Sequence, residues 1–223
     1  MSDDRVKRAY ESVGRWSALY DGMMTNSSRL GRLAMKYFWQ LTDEKYEAFI
    51  NQAFAGLRDG FDGRLLEIPV GTGVLSLPLY SQFKSARIVC ADNSAEMLEA
   101  AKKNGRGSRN VEFVQCDVGA LPFDDESFDQ VLSINGFHVF ADKEAAYSET
   151  FRVLKAGGVF SGCVYVKGLN GRTDFFVEQF CERRGFFTPP YDTLTTLAER
   201  LKGMYSDVEI NHVEAFAGFV CRK

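Results

Sequence analysis

The chain has 223 residues, 45% of them hydrophobic, and a formal net charge of -3. That length supports one buried core with a small accessory part, and the charge balance argues against nucleic acid as the main partner. The charged N-terminus "MSDDRVKRAY" reads as no signal peptide, and no apolar run is long enough to span a bilayer.

Residues 3–57 read as helical. In "YFWQLTDEKYEAFINQAFAGL", Phe38, Leu41, Tyr46, Phe49, Ile50, Phe54 and Leu57 fall at helix-compatible spacing, with Thr42 or Asp43 as cap for the second half. "YDGMMTNSSRLG" reads as a loop between helices. After "RDGFDG" the pattern alternates. "RLLEI" is a strand, "GVLSLPLYSQF" a helix with Pro78 in its first turns, and "ARIVCAD" a strand. "SAEMLEAAKKNG" is a helix capped by Ser94 and stopped by Gly105. "VEFVQCD" and "FDQVLSIN" are strands, and "KEAAYSETFRVLKAGG" is a helix ended by two glycines. "VFSGCVYV" is a strand, "TDFFVEQFCERRG" and "TLTTLAERLKGMY" are helical, and "DVEINHVEAFAGFVCRK" closes the chain as a hairpin.

Strands that alternate with helices specify an α/β fold: a doubly wound, largely parallel sheet. Right-handed crossovers put the ligand crevice at the carboxyl ends of the first strands. The five cysteines, Cys90, Cys116, Cys163, Cys181 and Cys221, are odd in number and form no C-x-x-C pair. They read as small buried hydrophobes in a reduced, cytoplasmic protein, with no disulfide framework and no metal site.

Three carboxylates follow three successive strands at one sheet edge. Glu67 is followed by Pro69, Val70, Gly71, Thr72 and Gly73; Asp92 stands in "CADNS" and Asp117 in "QCDVGALPF". One acid at a strand end is an ordinary turn former or cap; three in succession after a glycine turn point to a ligand. A nicotinamide dinucleotide is the first rival, because Gly71, Gly73 and Asp92 match part of its fingerprint. The third glycine falls at Ser76, a diphosphate at this turn would face Glu67, and Asp117 stays unexplained. A phosphate-free adenosine with a cationic head fits better, and S-adenosyl-L-methionine is such a molecule. Its ammonium and sulfonium favour a carboxylate such as Glu67, and Gly71 and Gly73 admit close backbone approach. Asp92 is suited to accept both ribose hydroxyls. Asp117 is suited to the adenine amine and the Val118 amide to a ring nitrogen, with Met97 and Val118 as apolar cover. Pro69 is tolerated because no phosphate needs an N–H there, and proline favours an extended Ile68.

Glu67-Ile68-Pro69-Val70-Gly71-Thr72-Gly73 resembles the first motif of the class I S-adenosylmethionine-dependent methyltransferases, which is usually an acid followed by G-x-G-x-G. "ADNSAEML", which includes Asn93, resembles their second-strand motif, and "VQCDVGALPFDDESFDQV" resembles the adenine-binding strand and the loop after it. "FRVLKAGGVF" resembles the segment before strand five, and the match covers roughly residues 62–166. Within that group the chain is most similar to the ubiquinone/menaquinone-biosynthesis C-methyltransferase type, whose N-terminal segment "VKRAYESVGRWSALYDGMM" resembles. The resemblance implies a Rossmann-like sheet of seven strands, mostly parallel with the last antiparallel. It also implies methyl transfer to a small-molecule acceptor that is quinone-like, phenolic or an amine. Pro69 and a short segment between strands five and six depart from that type.

The expected organisation is an N-terminal helical lid over residues 1–60 and a cofactor-binding domain over 61–223. An insertion at about 167–204 would hinge at Gly168, Gly171 and Pro189-Pro190. His138, in "SINGFHVF", is the candidate general base where an acceptor must lose a proton, with a packed histidine as the alternative. Asn135 is placed to face the cofactor, and Tyr20 to close over it from the lid. His212 reads as a surface residue. The aromatic stripes "KYFW" and "DFFVEQF" read as core before acceptor pocket. A nicotinamide-dependent oxidoreductase and a non-catalytic cofactor-binding domain are the competing readings.

Overall fold

The computed structural model describes residues 21, 22 and 24–223. Tyr20 and the first third of the expected N-terminal lid lie outside the described residues. Helix α1 (Arg29–Phe38) begins at Ser28, whose Oγ accepts the Gly31 N–H at 2.9 Å. It therefore starts inside the stretch expected as a loop, because a serine can satisfy the free amides of a helix start. Helix α2 (Asp43–Ala53) is capped by Thr42, as the sequence indicates. Between them Gln40 adopts a positive φ of 58°, which divides the expected run into two helices.

The chain continues through β1 (Arg64–Glu67), α3 (Leu77–Tyr80), β2 (Arg87–Asp92), α4 (Ala95–Asn104), β3 (Val111–Gln115), β4 (Phe128–Ile134) and α5 (Lys143–Val153). Next come β5 (Leu154–Tyr165), α6 (Gly171–Phe176) with a π-helical extension over Val177–Glu182, α7 (Leu194–Met204), β6 (Asp207–Val213) and β7 (Phe216–Arg222). Ser94 caps α4 through the Met97 N–H and Gly105 closes it, as expected.

The seven strands lie in the order β3-β2-β1-β4-β5-β7-β6. β1 to β5 pair in parallel, and β7 runs antiparallel to both β5 and β6. This is the Rossmann-like sheet with an antiparallel last strand. The order reverses direction between β1 and β4, so a crevice opens beyond their carboxyl ends.

Two elements differ from the expectation. The helix expected over 73–83 is a single turn at Leu77–Tyr80. The residues before it are drawn toward β1, where Ser76 Oγ donates to Glu67. The helix expected to reach Gly157-Gly158 stops at Val153. Arg152 and Val153 give their carbonyls to the Glu126 and Ser127 amides, and Leu154 pairs with Phe128 on β4. Strand pairing captures the carbonyls that a longer helix would need.

Apolar side chains pack on both faces of the sheet. Leu65, Ile88 and Leu98 fill one side with Tyr80, while Val131, Tyr147, Phe160 and Leu201 fill the other. A third cluster joins α1, α2, β7 and the α6 region through Met35, Phe49, Tyr165, Phe187 and Phe216. Part of each aromatic stripe belongs to it, Trp39 of "KYFW" and Phe176 and Val177 of "DFFVEQF", whereas Tyr37, Phe175 and Phe180 are exposed. Phe38 stacks on Phe176 with centroids 4.1 Å apart, and Trp39 packs against Phe187 and Phe216. Lys45 pairs with Glu214 and Gln52 Nε2 donates to the Phe216 carbonyl at 3.0 Å, which ties α2 to the terminal hairpin. Cys90, Cys163, Cys181 and Cys221 are buried in these clusters or the sheet, and Cys116 is half-buried.

Candidate ligand site at the carboxyl edge of the sheet

A cavity of about 430 Å³ opens at this edge. Its volume lies in the range of roughly 300–1,000 Å³ of small-molecule sites. Glu67, Pro69, Gly71, Thr72, Gly73, Asp92, Asn93, Met97, Asp117, Val118 and Asn135 all line it. The loops after β1, β2, β3 and β4 therefore converge where the sequence places them.

Glu67 is buried at the end of β1. Its Oε2 accepts from Ser76 Oγ at 2.8 Å, from Tyr80 Oη at 2.9 Å and from the Cys90 thiol at 3.8 Å. Burial pushes its pKa up to about 7, although the three donors pull it down; the Asp92 charge adds to the rise.

Asp92 is also buried, with Oδ2 accepting the Gly71 N–H at 2.8 Å and Oδ1 the Ser94 N–H at 2.9 Å. Burial raises its pKa to about 6 against the pull of these amides. Each oxygen keeps a further lone pair for a ligand.

Gly71 and Gly73 turn with φ of 56° and 65°, in the left-handed region that glycine occupies without a Cβ penalty. Their amides point into the protein. Gly71 donates to Asp92, and Gly73 donates to the Val70 carbonyl at 2.9 Å. The helix after the turn is one turn long. A diphosphate would need those amides and a helix N-terminus, and it would meet two buried carboxylates. The site is built for the opposite sign: a cation drives both acids to the charged form that burial disfavours.

Asp117 lies beyond the end of β3, is exposed, and accepts the Gly119 N–H through Oδ1 at 2.8 Å. Val118 beside it is buried. Asn135 takes a φ of 55°; its N–H donates to the Cys163 carbonyl at 2.9 Å and its Oδ1 accepts from the Cys163 thiol at 3.6 Å.

His138 is not brought to the cavity. It is 4% exposed, its ring packs on Phe187 with centroids 4.0 Å apart, and its Nδ1 accepts the Tyr165 N–H at 3.2 Å. That bond leaves the neutral ring's proton on Nε2, and burial lowers the pKa to about 3. The fourth-strand loop folds back against β5 and buries the ring, the arrangement of the packed-histidine alternative. His212 is exposed, with Nδ1 3.3 Å from the Glu214 carbonyl. Tyr20 lies outside the described residues.

Met24 and Ser76 in the cavity, and Asp21 and Tyr80 bonded to residues that line it, receive no site role from the sequence. Met24 forms part of the wall. Asp21 Oδ1 accepts from Thr72 Oγ1 at 2.6 Å, and Asp21 Oδ2 accepts from Asn104 Nδ2 at 3.3 Å. Ser76 and Tyr80 hold Glu67 from the segment after the glycine turn. Asp21 stands in the segment "VKRAYESVGRWSALYDGMM" that carries the resemblance, but its partner Thr72, like those of Ser76 and Tyr80, is set only by folding.

Residues 65–158 match the model of a family described as a methyltransferase domain. A demethylmenaquinone methyltransferase of Thermus thermophilus is 41% identical over 96 residues, covering 43% of this chain and 44% of the relative. A ubiquinone/menaquinone biosynthesis C-methyltransferase of Desulfotalea psychrophila is 32% identical over 116 residues, covering 52% of this chain and 46% of the relative. The match thus spans less than half the length of these curated relatives. The resemblance carried by the motifs is borne out over this span. Among solved structures, a methyltransferase of Thermotoga maritima described as a possible histamine N-methyltransferase superposes with a TM-score of 0.68. It is 19% identical and covers 96% of this chain and 99% of that one. The YcgJ protein of Bacillus subtilis gives a TM-score of 0.61 at 24% identity, covering 76% and 71%. These two establish a shared fold.

Proposed function

We propose that this chain is an S-adenosyl-L-methionine-dependent methyltransferase acting on a small-molecule acceptor of quinone-like, phenolic or amine chemistry, in the cytoplasm. The observation that carries this reading is the Gly71–Asp92 hydrogen bond. It turns the glycine loop's amide away from the cavity and leaves carboxylates facing it, which suits a cationic adenosine and opposes a dinucleotide. The similarity to quinone-biosynthesis methyltransferases supports the same conclusion and favours a quinol-type acceptor.

When bound, the cofactor supplies an already activated methyl group, so the protein mainly binds, aligns and excludes water. Asp92 takes the ribose hydroxyls on its outward lone pairs. Glu67 balances the methionyl ammonium, with its free Oε1 side rather than the Oε2 that Ser76 and Tyr80 hold. Asp117 and the Val118 amide read the adenine edge, and Met97 and Val118 cover the ring. Pro69, Gly71, Thr72 and Gly73 form the floor along the methionyl chain, with Asn93 at the ribose and Asn135 toward the transferring methyl. His138 is not part of the cavity lining, so a base in this reading would come from another group or from the acceptor's own ionisation. This reading assigns the acceptor side to the described part of the first sixty residues, of which Met24 lines the cavity, and to the segment at about 167–204.

Calorimetry with S-adenosylhomocysteine and with NADH tests the ligand class, and a labelled-methyl screen over quinols, phenols and amines tests the reaction. Binding of NADH in place of the adenosyl ligand would overturn the proposal.

A further inference from the structure

Helix α1 carries two interleaved stripes. Its inward residues are Gly31 and Met35. Outward, Leu30 is 72% exposed, Leu33 64% and Tyr37 63%. Beside them Arg29, Arg32 and Lys36 repeat the same spacing and are also exposed. From residue 22 to residue 42 the sequence contains no acid. None of these three cations makes an ion pair among the described residues.

The neighbouring α6 extends the same surface. Thr173 Oγ1 donates to the Phe38 carbonyl at 2.9 Å, and the Arg172 guanidinium lies 5.5 Å from the Tyr37 ring centre. Phe175 is 66% exposed and Phe180 40%. The acids of this segment are engaged elsewhere: Asp174 accepts from Tyr165 Oη at 2.7 Å, and Glu178 pairs with Lys167 at 2.6 Å. Arg172, Arg183 and Arg184 remain exposed. The face is therefore apolar at its centre and cationic around it, on a chain whose net charge is -3.

A large apolar side chain on a helix face costs free energy in water, and a row of them needs cover. Cover by an acidic protein would satisfy the charges; a bilayer satisfies both features with one surface, because its anionic headgroups lie directly above acyl chains. We propose that the α1–α6 face docks on an anionic lipid bilayer, with Leu30, Leu33, Tyr37 and Phe175 at the boundary between headgroups and acyl chains. Beside α1, a cleft of about 350 Å³ lined by Arg29, Arg32, Lys36 and Leu33 receives a headgroup phosphate. Asp43 also borders that cleft, with Oδ1 accepting from Asn26 Nδ2 at 3.0 Å. Met24, in the cavity wall, precedes α1 by a few residues, so docking brings the cavity mouth near the bilayer. Delivery of a lipid-soluble acceptor by this route rests on the proposed function; the docking itself does not.

The test is co-sedimentation of the whole chain with vesicles of phosphatidylcholine alone and of equal parts phosphatidylcholine and phosphatidylglycerol. The chain partitions onto the mixed vesicles and is released by salt. The triple change Arg29→Glu, Arg32→Glu, Lys36→Glu lowers that partition ~100-fold. The change Leu30→Ser, Leu33→Ser, Tyr37→Ser lowers it about tenfold or more. Both variants keep the wild-type circular dichroism spectrum, which shows that they fold, and their affinity for S-adenosylhomocysteine. Equal partition onto the two vesicle types, no partition, or a wild-type dimer in solution that the serine variant dissociates would each overturn the proposal. Absence of S-adenosylhomocysteine binding by the wild type would count against the function above and leave the vesicle result readable.

Discussion

Thr72 Oγ1 donates a 2.6 Å hydrogen bond to Asp21 Oδ1. Asn104 Nδ2 reaches both Asp21 Oδ2 and the Thr72 carbonyl, the latter at 3.0 Å. Three distant parts of the chain meet in this network: the segment before α1, the glycine turn, and the end of α4. Tyr46 Oη also donates to the Met24 carbonyl, so the network holds Met24 at the cavity wall. Asp21→Ala and Thr72→Val should each weaken S-adenosylhomocysteine binding about threefold to tenfold, with little change in Tm. The double variant should lose less than the sum, with a coupling of about 1 kcal/mol in calorimetry. Additive losses would show that the bond does not act on the site.

Asp92 joins the glycine turn to the start of α4 through the Gly71 and Ser94 amides. Asp92→Ala removes the acceptor for both amides and the proposed ribose ligand together. Adenosyl-ligand affinity should fall by a factor on the order of 100, with a stability loss of about 1–3 kcal/mol from the two stranded donors. Denaturant unfolding and calorimetry on the same preparation separate these effects. An unchanged dissociation constant would remove Asp92 from the site.

Glu67 and Asp92 set a pH dependence with a definite sign. Both acids are raised in the fold, to about 7 and about 6. The native state then holds protons that the unfolded chain has released. Their contribution to stability is full below the unfolded carboxylate range and is lost as pH rises through about 6 and then about 7. A cationic ligand favours the deprotonated forms, so its affinity should rise over this window, by up to about tenfold per pH unit for each titrating acid. Binding should release protons, seen as different heats in buffers of different ionisation enthalpy. Glu67→Gln should flatten the part near neutrality; unchanged proton release in that variant would assign it elsewhere.

His138 is lowered to about 3 in the fold, so its contribution to stability is present above about 6.5 and lost as pH falls through about 3. That slope opposes the slope of the two acids on the acid side. His138→Gln, which retains an acceptor for the Tyr165 amide, should therefore change acid stability and leave the rate of methyl transfer within about threefold of wild type. A loss of about 100-fold in kcat with an intact fold would restore the histidine as a base.

Gly136 explains how the sequence accommodates Pro69. A Cβ at Gly136 would lie 2.4 Å from Pro69 Cδ, and also close to Ser133 Oγ and Phe140. Gly136→Ala should destabilise the protein by about 1–3 kcal/mol, and Pro69→Gly should recover part of that loss. No recovery in the double variant, read from denaturant midpoints, would place the strain on the other neighbours.

Much of this architecture is legible in local pattern. Ser94, Thr42 and Gly105 mark helix ends because capping is a matter of nearest neighbours. The acids after β1, β2 and β3 could be placed at one edge because parallel crossovers send successive strand ends to the same side. Helix ends decided by partners from elsewhere were not legible. Leu154 leaves its helix because Phe128 and the Glu126 and Ser127 amides capture that stretch of backbone.

The role of Glu67 divides in the same way. Sequence places a carboxylate beside the glycine turn, but Ser76, Tyr80 and Cys90 reach it from other elements, and only their convergence sets its proton affinity. The sequence by itself determined the α/β order, the glycine turn and the edge on which the acids stand, because periodicity and turn chemistry act over a few residues. Tertiary structure alone decided that His138 is buried, that Asp21 is fastened to Thr72 and that α1 shows an apolar face to solvent. Burial and pairing depend on residues that the chain brings together only when it folds.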